Sequence, residues 1–277
     1  MKVKIVTDSS ADLRSLDGVD FAAVPLKIVT DDKEYVDDPD LDIEHMVEEL
    51  RAYKGRSGTA CPSTGEWIDA FGDADVIFGV TITSGLSGSY NAAQLAKHDY
   101  ELAHPDRHVF IVDSLSTGPE MQLIIEKLTE LIRMGKTYEE IRDGILDYQK
   151  HTHLFFALES LSNLAKNGRV GKATAAIAGA LGIRVLGKAS EFGTLEQIAK
   201  CRGELKTLEA ILSNMKSLGY AGGKIRISHC FNERAALRLK AMMQSTFGYV
   251  DIGITPTSAL CSFYAEQGGL LIGFETE

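Results

Sequence analysis

The chain has 277 residues, of which 44% are hydrophobic and 25% charged, and its formal net charge is -10. This length and apolar content allow a large buried core and favour two domains of ordinary size. The acidic balance argues against binding to nucleic acid or to an anionic membrane surface, because both require a basic face.

Targeting segments and cysteines add little. No basic segment leads into an apolar stretch at the N-terminus, and no apolar run reaches the roughly 18 residues of a membrane span, so we expect a cytoplasmic protein. The four cysteines, Cys61, Cys201, Cys230 and Cys261, form no CxxC pair. Reduced thiols are therefore expected, with neither a disulfide framework nor a metal site.

Apolar runs of strand length alternate with segments of helical length along the chain. The predicted strands are 3–6, 21–29, 76–82, 109–112, 154–158, 225–228, 250–254 and 270–274. Such alternation is typical of α/β proteins with largely parallel sheets. We therefore predict two α/β domains, each with a largely parallel sheet.

Helix starts and a domain boundary can also be read. Ser63 with Glu66 and Thr137 with Glu140 have the spacing of capping boxes. The second box opens a predicted helix at 138–150, after which we divide the chain into an N-terminal domain, 1–155, and a C-terminal domain, 156–277. A Gly/Ala-rich stretch at 173–182 could either let helices pack closely or line a cavity, and we favour close packing.

Hydroxyl-rich loops follow several predicted strands. The segment TSGLSGSYNAA, residues 83–93, places Ser84 and Ser87 between a strand and a helix, where free backbone N–H groups and the helix dipole attract anions. Ser9 and Ser10 follow the first strand, and Thr59 precedes another predicted helix. Ligands of open α/β sheets bind at such strand ends, although helix capping explains the serines equally well.

The loop at 83–88 also resembles a nucleophile elbow, which would make the protein a serine hydrolase. Gly85 and Ser87 fit the G-x-S-x-G pattern, but the last position is Ser89. Asp113 and His229, each after a predicted strand, would complete a triad with Ser87. This alternative ranks below ligand binding, because any α/β protein ends its strands with polar residues.

Taken together and in order, these motifs resemble those of the DegV family of bacterial fatty-acid-binding proteins. The matching elements are TDSS at 7–10, TACPS at 59–63, TSGLSGSYNAA at 83–93, VDSLSTG at 112–118, LAKNGRV at 164–170 and KCRG at 200–203. The resemblance implies two α/β domains with a lipid tunnel between them. It also implies a carrier that needs no cofactor and is not catalytic alone.

Function and site residues follow from the same resemblance. Family members hold a long-chain fatty acid and present its carboxylate to a separate fatty acid kinase, whose acyl phosphate product feeds phospholipid synthesis. By the resemblance, Thr59 and a serine of the loop, Ser84 first and Ser87 second, hold the carboxylate. Arg169 is placed near the head group or at the docking face for the kinase, with Ser9 and Ser10 as further head-group or partner contacts.

The chain departs from the family pattern near its end. Members carry an H-x-G-P-G motif whose histidine completes the carboxylate clasp, and alignment of the terminal glycine and phenylalanine places Tyr264 at that histidine. A tyrosine hydroxyl donates a hydrogen bond but supplies no positive charge. A diverged carrier of another amphipathic anion is therefore a further alternative.

Overall fold

The first half of the chain is built around a parallel sheet. The computed structural model describes residues 2–171 and 182–276. Its strands are β1 (Val3–Asp8), β2 (Asp20–Val24), β6 (Val76–Thr81) and β7 (His108–Asp113). They lie in the order β2-β1-β6-β7, and all of their pairings are parallel. The predicted parallel α/β sheet is confirmed here.

Helices cover both faces of this sheet, as its apolar strands require. Alternate side chains of β1 point to opposite faces, so that Ile5 and Val6 belong to different buried clusters. The helices are α2 (Thr64–Phe71) and α3 (Ser89–Ala103) on one face, and α4 (Pro119–Arg133) and α5 (Tyr138–Tyr148) on the other. Both predicted capping boxes are confirmed, at Ser63 and at Thr137.

A small antiparallel sheet interrupts this pattern. Its order is β4-β3-β5, with strands β3 (Lys27–Thr30), β4 (Glu34–Val36) and β5 (Ser57–Ala60), and α1 (Ile43–Ala52) connects the last two. The predicted strand at 21–29 is thus two strands in different sheets. Pro25 stands at the break, because proline has no N–H to continue a ladder.

The second half contains a mixed six-stranded sheet, where the prediction of a largely parallel sheet was wrong. The strands are β8 (Thr152–Leu158), β9 (Ile183–Ala189), β10 (Leu195–Arg202), β11 (Ile225–His229), β12 (Ile252–Pro256) and β13 (Leu270–Glu275). Their order in the sheet is β10-β9-β8-β13-β11-β12, and only β11 and β12 pair in parallel. The reason is that β9 and β10 form a hairpin and β13 inserts antiparallel between β8 and β11.

The two halves pack closely together. One face of the mixed sheet is covered by α7 (Glu204–Ser217) and α8 (Glu233–Phe247), while α4 from the first half packs on the other face. The short helices are α6 (Ser162–Lys166) and α9 (Ala259–Ala265), and α9 contacts β3 and α1. The division between residues 155 and 156 stays a prediction, and strand β8 runs across it.

Within residues 2–171 and 182–276, no helix has the length and apolar character that crossing a bilayer requires. Of the Gly/Ala-rich stretch at 173–182, residues 173–181 lie outside the described part of the chain, so the structure does not test the prediction made for them.

Candidate functional site

A cavity of about 370 Å³ lies between the two halves of the protein. Strand β5 and the loops after β5, β6 and β7 supply one wall, and β8, β9, β10 and β13 supply the other. Its apolar lining comprises Leu26, Ile82, Leu86, Leu115, Leu154, Phe156, Leu158, Leu164, Leu195, Leu260 and Leu271. The arrangement suits a ligand with a long hydrocarbon part.

Polar groups gather at one part of this cavity. The Thr59 and Tyr264 hydroxyl oxygens are 2.8 Å apart, and the Arg169 guanidinium carbon lies 6.0 Å from the centre of the Tyr264 ring. Arg169 Nε also donates to the carbonyl oxygen of Leu86 at 3.3 Å, which holds the guanidinium against the backbone of the loop at 83–88. Two hydroxyls and a fixed positive charge therefore face the same space, as recognition of a carboxylate requires.

The loop at 83–88 is held in place by two carboxylates, of which Asp8 is buried and Asp113 partly buried. Asp8, at the end of β1, accepts hydrogen bonds from the Ser89 hydroxyl at 2.6 Å and from the Ile82 backbone N–H at 2.9 Å. Asp113, at the end of β7, accepts from the Ser84 N–H at 3.0 Å. Burial raises the pKa of Asp8, while these donors favour its ionised form. The TDSS aspartate thus positions the loop from a neighbouring strand.

Helix α9, which carries Tyr264, is positioned by two more buried carboxylates. Asp37 accepts from the backbone N–H groups of Ala259 and Leu260, each at 3.0 Å, and pairs with Arg14 at 2.8 Å. Asp12 accepts from the Ser258 hydroxyl at 2.7 Å and from its N–H at 2.8 Å. Both carboxylates come from the first half of the chain, so they tie α9 to the N-terminal sheet.

Asp12 is unusual among these groups. Its Oδ2 atom is buried and has no hydrogen-bond partner among the described residues. Burial raises the pKa of Asp12 to about 6, against the lowering effect of the Ser258 donors. The contact between the two halves therefore contains a carboxyl group that is more readily protonated than an exposed aspartate.

The structure brings some predicted site residues together and separates others. Thr59, Ser87, Arg169 and Tyr264 all line the cavity. Ser84 is exposed and does not line it.

The two serines of the TDSS motif are also elsewhere. Ser9 and Ser10 are buried, and neither is among the residues that line the cavity. The Ser9 hydroxyl accepts from the Leu26 N–H at 3.0 Å, and the Ser10 hydroxyl donates to Asp8. Their contacts fix the chain after β1, where the Asp8 side chain, and neither serine, caps the short helical turn that follows.

The hydrolase triad is not assembled. Asp113 accepts from the backbone N–H groups of Ser84 and Leu115, and His229 Nδ1 accepts from the N–H of Asn232 at 3.4 Å. Ser87 lines the cavity, but His229 does not. Across the described residues, no hydrogen bond joins any two of the three proposed side chains. The geometry therefore gives Ser87 no general base.

Sequence reasoning missed the β9–β10 hairpin as part of the site. Gly193 and Thr194 at its tip line the cavity, and the Thr83 hydroxyl donates to the Gly193 carbonyl oxygen at 2.9 Å. A Cβ at Gly85 would lie 2.7 Å from the Phe192 carbonyl oxygen, so this glycine is needed for the close approach. The S-E-F-G-T turn sequence at 190–194 was the available signal.

The described residues show neither a metal-binding cluster nor a reactive thiol at the cavity. Among residues 2–171 and 182–276, no three His, Cys, Asp or Glu side chains are grouped to hold a metal ion. All four cysteines are free, and Cys61 and Cys261 line the cavity. Burial raises the pKa of the Cys261 thiol well above its usual value, so it packs in the wall as a neutral group.

Comparison with known proteins gives matches along the whole chain. A family model described as "Uncharacterised protein, DegV family" matches residues 2–277. A DegV domain-containing protein of Streptococcus pneumoniae is 46% identical over 281 residues, with 100% of both chains covered.

Solved structures are similarly close. The Streptococcus pneumoniae Fatty Acid Kinase (Fak) B3 protein loaded with linoleic acid has a TM-score of 0.98 at 46% identity, with 100% of each chain covered. A DegV family protein from Eubacterium eligens loaded with heptadecanoic acid also has a TM-score of 0.98, at 47% identity, covering 99% of this chain and 100% of that one.

Proposed function

The chain belongs to the DegV family, and we propose that it binds one long-chain fatty acid in the cavity between its two halves. The observation that carries this proposal is the polar group formed by Thr59, Tyr264 and Arg169 within a cavity that is otherwise mainly apolar. Similarity to two proteins whose structures contain linoleic acid and heptadecanoic acid supports it.

The hydrocarbon tail and the carboxylate of the fatty acid contribute differently to the binding free energy. Each buried methylene contributes about 0.8 kcal/mol, so the hydrocarbon tail supplies most of the affinity. A carboxylate removed from water needs donors to offset its desolvation. In the proposed complex, the Thr59 and Tyr264 hydroxyls and Ser87 donate to the carboxylate, and Arg169 supplies the positive charge that the family histidine would otherwise contribute.

The other predicted contacts take supporting roles in this proposal. Ser84 belongs to the surface beside the head group, while Ser9 and Ser10 act through Asp8 and the backbone. A different amphipathic anion is the second candidate, because alignment of the chain end places Tyr264 at the histidine of the H-x-G-P-G motif. The phenol is uncharged and therefore selects less strongly for a negatively charged carboxylate than an imidazolium does.

We further propose that the protein is a cytoplasmic carrier that presents the carboxylate to a separate fatty acid kinase. Similarity to the Fak B3 protein supports this role. So does the position of the polar group, since Cys61 and Gly88 line the same cavity and are exposed. The kinase then forms the acyl phosphate for phospholipid synthesis, and the carrier needs no catalytic residue or cofactor of its own.

Carbon-13 NMR tests the proposal directly. Palmitate labelled at its carboxyl carbon is added to delipidated protein, and one bound signal is expected, with a carboxyl pKa below that of free palmitate. Thr59→Val should move this signal because it removes one donor, whereas Thr30→Val, on the same small sheet outside the cavity, should not. A labelled carboxyl that titrates as free palmitate would refute the proposal. Preferential displacement of palmitate by another amphipathic anion would favour the second candidate.

A further inference from the structure

Strand β8 presents alternate side chains to the cavity. Leu154, Phe156 and Leu158 line it, whereas Phe155 and Ala157 point to the opposite face and belong to the core under α7 and α8. Phe156 is therefore an aromatic side chain in the wall that would face the acyl tail.

The Phe156 ring lies over a glycine of the next strand. Phe156 and Gly187 are paired directly across β8 and β9. A Cβ at Gly187 would lie 2.2 Å from Phe156 Cζ and 2.5 Å from Cε2. The ring thus extends sideways across the β9 backbone and occupies the space that a side chain at residue 187 would fill.

Gly187 is required by the contact with the Phe156 ring and not by its backbone conformation. It lies within β9 and is not among the glycines with a positive φ angle. Its backbone would therefore suit any L-residue, and it is the absence of a side chain that leaves room for the ring. With the ring folded down on Gly187, the cavity keeps volume that a ring standing upright from the sheet would take.

We propose that Phe156 and Gly187 together set the depth of the cavity and thereby select the length of the acyl chain. This inference rests on the proposed binding of a fatty acid. A side chain at position 187 turns the ring into the cavity and favours shorter tails. A smaller side chain at position 156 adds space, and each further methylene that enters it raises relative affinity about fourfold.

A competition experiment tests the inference. Delipidated wild-type protein and variants are mixed with equal amounts of myristate, palmitate, stearate and arachidate, and bound species are counted by native mass spectrometry. Phe156→Leu should raise the ratio of bound stearate to palmitate up to about 16-fold, since stearate has two more methylenes. Gly187→Ala should shift binding toward myristate. Phe155→Leu is the matched control, because it removes a similar ring from the other face and should keep the wild-type profile.

The outcomes separate the two proposals. A wild-type protein that binds none of the four acids refutes fatty acid binding itself. Binding by the wild type with the same profile in Phe156→Leu refutes the role of the ring, as does an equal shift in Phe155→Leu. Gly187→Ala also meets the Glu196 carbonyl oxygen, at 2.7 Å, so a thermal melt checks its folding. If it does not fold, Phe156→Leu decides the matter alone.

Discussion

Replacement of Tyr264 by phenylalanine isolates a single hydroxyl at the proposed head-group site. The ring stays, with its edge-to-face contact to Phe263 at 4.9 Å and the Arg169 guanidinium above it. The hydroxyl, 2.8 Å from that of Thr59, is lost. A hydrogen bond to a charged group contributes about 1.5 to 3 kcal/mol, so fatty acid affinity should fall by roughly 10- to 100-fold.

Isothermal titration calorimetry with oleate measures this change in delipidated protein. Tyr100→Phe is the control, because the Tyr100 hydroxyl bonds to the Gly72 and Ala74 carbonyl oxygens, away from the cavity. The control should bind oleate as the wild type does. Unchanged affinity in Tyr264→Phe would refute the reasoning, since it would mean that the carboxylate does not reach the hydroxyl pair.

Four further variants test the carboxylates and serines. Burial raises the pKa of Asp12 to about 6, so its ionisation is disfavoured in the folded protein. The free energy of unfolding of the wild type should therefore fall by roughly 3 kcal/mol as the pH rises from about 4 to about 6. Asp12→Asn should lack that part of the loss in urea unfolding. Ser87→Ala should weaken oleate binding roughly 10-fold or more, the loss of one hydrogen bond to a charged group, whereas Ser84→Ala should not. Asp37→Ala should lower the free energy of unfolding by about 3 kcal/mol, since it removes a buried carboxylate that pairs with the partly exposed Arg14 and caps α9.

Each of these expectations has a contrary result. Equal pH dependence in wild type and Asp12→Asn would assign the pH effect to other carboxyl groups, such as Glu120, whose pKa burial raises to about 7. Weaker binding in Ser84→Ala than in Ser87→Ala would reverse the order that the cavity indicates. For Asp37→Ala the comparison is Lys33→Ala, which breaks an exposed ion pair and should cost under about 1 kcal/mol. Similar losses in both would contradict the role of Asp37.

The fold was predictable wherever burial dictates the sequence pattern. The apolar strands β1, β6 and β7 and the two capping boxes follow from local chemistry. Strands such as β5, with the sequence SGTA, carry no apolar signal and form because β3 pairs with them. The direction of pairing in the second sheet depends on which strands become neighbours, and β13 returns between β8 and β11 from far along the chain.

The candidate site was predictable in part. Motif resemblance picked out Thr59, Ser87, Arg169 and Tyr264, which the fold brings to the same cavity. It ranked Ser84 above Ser87, but the N–H groups of Leu86 and Ser87 both bond to the Thr83 carbonyl oxygen, and this turn leaves Ser84 exposed. Pairings across strands, such as Phe156 with Gly187, depend on register and have no signal within one segment.

The central claim is that this cavity holds one long-chain fatty acid. Native mass spectrometry of the protein purified from a bacterial host, followed by denaturing extraction and lipid analysis, tests it most directly. We expect a complex of one fatty acid per chain that survives in the gas phase and yields a free fatty acid on extraction. A protein that carries no fatty acid, and takes up none when oleate is added, would contradict it.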